Sequence, residues 1–159
     1  MTPTRINDFL LSLAVAIANA AQLTFAQHLF AHNAPEDHAA AVYTVLRIYG
    51  GNEPPRYGDR RLATVSVQHD TRGMDDASVL AQAWKVHESL LDDRGRLRHD
   101  WQIPGKRFAA DGSIEADPAG NWVAWVRQIG TVPGIVGVDE KPRLIAMGNF
   151  DVSFQRAGA

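Results

Sequence analysis

Apolar positions along this chain change period several times, and each change predicts an element. Leu10, Leu13, Ala14, Ile17, Ala21 and Phe25 recur at helical spacing, with Ser12, Asn19 and Gln22 opposite them. This pattern predicts an amphipathic helix capped by Asn7 or Asp8, fraying by Asn33 and ended by Pro35. From Ala40 to Tyr49 the period becomes two: Val42, Thr44, Leu46 and Ile48 alternate with Tyr43, Val45, Arg47 and Tyr49. Both sets are rather apolar, which predicts a strand covered on both faces. Gly50, Gly51, Pro54 and Pro55 then break regular structure. Leu62 to His69 alternates again, with Ala63, Val65 and Val67 on a drier face and Thr64, Ser66 and Gln68 on a wetter one.

A second helix is predicted from Asp75 to Leu91. Asp75 suits the N-cap, and Met74 is placed to pack on Val79 as a hydrophobic staple. Its stripe of Val79, Leu80, Ala83, Trp84, Val86, His87, Leu90 and Leu91 should lie across a sheet. Residues 92–121 have weak periodicity, the mark of a functional loop or an extended hairpin. Trp122 to Ile129 and Arg143 to Phe154 read as strands, the second with Leu144, Ala146, Phe150, Val152 and Phe154 on one face. The Gly/Pro-rich stretch from Thr131 to Glu140 reads as their connection. These elements describe an α+β fold: a single domain over residues 1–159, with a mixed or antiparallel sheet of about four main strands and two helices packed on it.

Composition changes this picture little. Apolar residues make up 45% and charged residues 21%, ordinary for a folded protein. A formal charge of -2 argues against a general nucleic-acid binder, which carries a basic excess. With no cysteine, disulfides and thiolate metal sites are excluded. The N-terminus admits three readings. No Lys, Arg, Asp or Glu occurs from Phe9 to Pro35, which raises a membrane span, and Ala18, Asn19 and Ala20 imitate a signal-peptide cleavage site. Asp8 against the apolar run, the amphipathic pattern and the polar Gln22, Gln27 and His28 favour a packing helix instead.

Candidate chemistry is sparse. His28 and His32 stand four apart on the expected helix, with Glu36 and His38 nearby, but the Glu of a zinc-hydrolase motif is missing between them. Ser66, His69 and Asp70 are triad residue types, yet Ser66 and His69 point to opposite faces of a strand. The pairs Asp92 with Asp93 and Asp139 with Glu140 suit solvated turns better than acid–base work. His87 reads as a core-edge histidine with one satisfied nitrogen. Gly130, Gly134 and Gly137 lack the spacing of a nucleotide loop. The long loop is the strongest candidate: Arg94, Arg96, Arg98, Lys106 and Arg107, interleaved with Trp101 and Phe108, suit a protein interface, a nucleic-acid grip or a solvated loop.

The order of these segments resembles the tail terminator family of long-tailed bacteriophages, also called minor tail or minor capsid proteins. The match rests on Tyr43 to Gly51, Arg61 to Gln68, the capped helix from Asp75, and the end from Pro133 to Asp139 and on to Phe154. None of these is a catalytic signature. The resemblance implies a structural virion protein, no enzyme and no cofactor. It implies a homohexameric ring, assembled in the host cytoplasm, that caps the tail tube at the head-proximal end of the tail. Its implied partners are further copies of itself, the tail tube protein and the head–tail connector or stopper protein, with DNA only passing through the lumen and no membrane. Arg94, Arg96, Arg98, Trp101, Lys106, Arg107 and Phe108 are then candidates for the ring or tube interface. Two alternatives stay open: a head-closure or neck protein of the same virion, and a secreted binding protein with a cleaved signal peptide.

Overall fold

The computed structural model describes residues 3–36, 38–52 and 62–158. Its elements are α1 (Pro3–Ala20), β1 (Leu29–Ala31), β2 (Tyr43–Asn52), β3 (Ala63–Gly73), α2 (Asp76–Glu88), β4 (Trp101–Ile103), β5 (Lys106–Phe108), β6 (Ile114–Ala116), β7 (Trp122–Ile129), β8 (Gly134–Val138) and β9 (Leu144–Arg156). The expected α+β single domain is present, but the sheet has seven strands and not about four. Its order is β1-β2-β3-β9-β7-β4, with β8 also paired to β9, and β5 and β6 form a separate hairpin. Among the described strands, only β1 runs parallel to its neighbour.

Register explains the core. Ala63, Val65 and Val67 of β3 oppose Phe154, Val152 and Phe150 of β9, which makes one continuous apolar face. Both helices pack on that face, α1 through Phe9, Leu10, Leu13, Ala14 and Ile17, and α2 through Val79, Ala83 and Val86, with Leu90 just past its end. Phe9 stacks on Phe154 at 3.6 Å between ring centroids, and the Trp122 ring meets both edge-on. Fully burying each such side chain contributes about 1.5–3 kcal/mol. A buried polar patch docks α2: the Gln82 amide donates to Thr44 Oγ1 and to the His28 carbonyl, both at 3.0 Å, while Thr44 and Thr71 share a 2.7 Å hydroxyl contact. The opposite face carries Thr64, Ser66 and Gln68, with Ser153 and Asp151 bonded to Thr64 and Ser66 across the strands.

Several expectations are corrected. The first helix begins at Pro3, so Asn7 and Asp8 lie inside it, and it ends at Ala20, well before Asn33. Gln22 takes a left-handed φ of 58°, and the chain turns back to add β1 parallel to β2. Tertiary pairing of Leu29–Ala31 wins there over helical periodicity. Gly50 and Gly51 do not end β2; they lie within it, after a register shift between Ile48 and Gly50. The predicted break at Pro54 and Pro55 lies outside the described residues. Asp75 does cap α2, accepting from the Ser78 N–H at 2.9 Å. Met74 is 71% exposed and does not staple; Val79 packs instead over Gly73, where an added Cβ would lie 2.9 Å from a Val79 methyl. Trp84 is 40% exposed, not buried, with its ring against His87.

Candidate assembly surface

The stretch read as a connection is a strand. β7 and β8 run one after the other along the same side of β9, so that residues 122–156 form one long hairpin interrupted at Gly130–Pro133. Asn149 spans the interruption. Its backbone bonds Gly130 N–H and the Thr131 carbonyl, and its side-chain Oδ1 accepts from Thr131 N–H at 2.9 Å. A Cβ on Gly130 would lie 2.1 Å from that oxygen, so only glycine fits without displacing Asn149.

The far end of the hairpin is tied by Asp139. Its Oδ1 accepts from Lys141 and Arg143 N–H at 2.9 and 3.0 Å, and its Oδ2 accepts from Arg143 Nε at 2.8 Å and pairs with Arg72 at 3.4 Å. Burial alone would raise the Asp139 pKa, but these hydrogen bonds and the Arg143 charge hold it below the usual carboxylate range. Asp139 is therefore a turn builder, not an acid–base group.

Fixed at both ends, β8 presents its outer edge to solvent. Val132, Ile135, Val136 and Val138 are exposed, the last two at 58%. No charged residue occurs from Gly130 to Val138. Among the described residues, β8 pairs with β9 alone. Natural edge strands are ordinarily blunted by charge, by covering or by bulging, because bare N–H and C=O groups template pairing with another chain. Of these devices β8 has the bulge, a register shift between Ile135 and Gly137, but no charged side chain of its own.

The sequence-derived candidates fall into separate groups. Arg94 is exposed in the tight turn whose backbone N–H groups bond Asp92, and Arg96 closes it with a 3.3 Å pair to Asp92. Arg98 donates to the Ser89 carbonyl at 2.7 Å and lies over Trp101 at 4.7 Å, sealing the end of α2. Lys106, Arg107 and Phe108 form β5, where Arg107 pairs with Glu115 at 2.7 Å and Phe108 is exposed. The Lys106 N–H bonds Ser12 Oγ, which seats this hairpin on α1.

The remaining chemistry does not come together. His28 and His32 flank β1 and not a helix face, and the His28 ring nitrogen accepts from Thr24 N–H. Among the described residues no group of three or more His, Cys, Asp or Glu could hold a metal ion. Ser66 donates to Asp151 on one face, whereas His69 is buried on the other and Asp70 pairs with Arg47. Burial and the nearby His87 lower the His69 pKa to about 4. His87 lies at the edge of the core as expected; its Nδ1 has no hydrogen-bond partner, and burial lowers its pKa too.

The chain matches no protein-family model and no curated protein sequence. Among the described residues no helix is long and apolar enough to cross a membrane. The bare β8 edge was hidden in the sequence by its Gly and Pro content; the one available signal was nine successive residues without charge, four of them Val or Ile.

Proposed function

We propose that this chain is a structural protein of a long-tailed bacteriophage, forming a homohexameric ring that caps the tail tube, ends its growth and joins it to the head connector. The observation that carries this reading is the uncharged, exposed edge of β8. Such an edge is a liability for a protein that works alone and an asset for one that assembles. The scattering of Ser66, His69, Asp70 and the carboxylate pairs supports an assembly role over turnover of a substrate. The kind of assembly is taken from the resemblance of the segment order to that of tail terminators.

The place of α1 supports this reading over a secreted protein. Cleavage after Ala20 would remove Phe9, Leu10, Leu13, Ala14 and Ile17 from the core and leave the Phe150–Phe154 face of the sheet bare.

The test is capping. Added to tail tube protein as it polymerises, the purified chain should shorten the tubes in a dose-dependent way and appear at one tube end in electron micrographs. Tubes of unchanged length, with no terminal density, would refute the function.

A further inference from the structure

Resting on the ring reading, we propose that the outer edge of β8 pairs with the uncovered half of β2 in the next copy, so that the sheets of neighbours join. Edge N–H and C=O groups are satisfied only by another extended backbone, and a head-to-tail ring needs two different edges on opposite sides of the subunit.

The sheet supplies those two edges. One row of partners runs Leu29, Thr44, Thr71, Ala146, Ile135, from β1 through to β8. On the β1 side the edge is closed by local turns: the Leu29 carbonyl accepts from Ala26 N–H and the Ala31 carbonyl from Asn33 N–H, both at 2.9 Å. β1 covers only Thr44–Leu46, however. Past Leu46 no strand among the described residues lies on the outer side of β2; Arg47 is held by the His32 carbonyl at 3.0 Å and by Asp70, Tyr49 is 56% exposed, and Ile48, Tyr49 and Gly50 carry no charge. Two uncharged edges of one sheet thus face away from each other, and no like charges meet when they pair.

The edges lie at different levels. β8 meets β9 around Ala146, whereas Ile48 is in the row of Val67 and Phe150. That offset of four residues along β9 is about 13 Å at the rise of a strand. Neighbours are therefore staggered along the strands, and a closed ring absorbs such a stagger by tilting them, as closed barrels do.

The absence of cysteine makes the test direct. The full chain carrying Val136→Cys is combined in turn with Tyr49→Cys and Gly50→Cys, oxidised, and run on a denaturing gel; an added Cβ at Gly50 meets nothing closer than 3.9 Å. Native mass and thermal melting are measured on the same samples. A covalent ladder rising to six chains in a double variant, and in no single one, is the expected result. A hexamer that gives no ladder overturns the pairing and leaves the ring intact. A covalent dimer from Val136→Cys alone overturns it in favour of a two-fold β8–β8 contact. A monomer with wild-type melting and no ladder, alone and on mixing with tail tubes, removes the pairing and the ring together.

Discussion

The two ends of this sheet are finished differently. At the β1 end, the outward carbonyls of Leu29 and Ala31 are taken by turns of the same chain, with Ala26 and His32 held at positive φ to make them. At the β8 end, an uncharged strand is pinned in place by Asn149 and Asp139 and then left open. Closing one edge at the cost of strained backbone while leaving the other, bulged at Ile135–Gly137, unpaired gives the domain a direction. A subunit whose open edges are few and fixed in place can assemble specifically; with every edge bare it would aggregate.

The largest effect should come from charging the open edge. Ile135→Lys with Val136→Lys should abolish self-association while leaving the melting temperature within a degree or two, because both side chains are exposed. Asn33→Lys, beside the closed edge, should leave assembly unchanged; equal loss in both variants, read by light scattering, would erase the contrast between the edges.

Acid should weaken the β8 side. The His69 ring fills the space where a Gly148 side chain would be, under the point where β9 passes from β7 to β8. Its folded pKa of about 4 lies below the ordinary 6.5, so the unfolded chain takes up the proton first as pH falls. Stability is complete above pH 6.5 and is lost progressively toward pH 4, by about 3 kcal/mol in all. His87, also lowered by burial, acts in the same direction. Urea melts at pH 7 and pH 4.5 should show the loss, and His69→Leu should flatten most of it; an unaltered slope would place the titration elsewhere.

A smaller change is expected for Gly130→Ala. Displacing Asn149 should cost about 1–3 kcal/mol, and hydrogen exchange should quicken in residues 131–138 before β1 is touched. Smallest is Trp84→Ala, at about 1–2 kcal/mol, because so much of the ring is already in water. A loss of the 3–5 kcal/mol typical of a buried tryptophan would contradict its place on the outside of α2.

Much of the frame was legible in the sequence because local signals and tertiary demands agree there. β3 alternates because one of its faces is buried; β7 and the apolar face of β9 follow the same rule, and α2 begins where Asp75 says it must. The open edge was not legible. Thr131 to Val138 carries the composition of a turn, and the strand state of Gly134–Val138 comes from pairing with β9, which no local period reports. β1 was masked likewise by helical spacing through Phe25. The basic residues of the long loop were visible as a cluster in sequence, but the fold spreads them over an Asp92 turn, the end of α2 and the β5–β6 hairpin.

The most direct measurement is the native mass of the purified chain by light scattering, with and without magnesium, with electron microscopy of the same peak. The account predicts six chains of 17.4 kDa, about 104 kDa, and ring-shaped particles. A monomer under every condition, including on mixing with tail tubes, would contradict it.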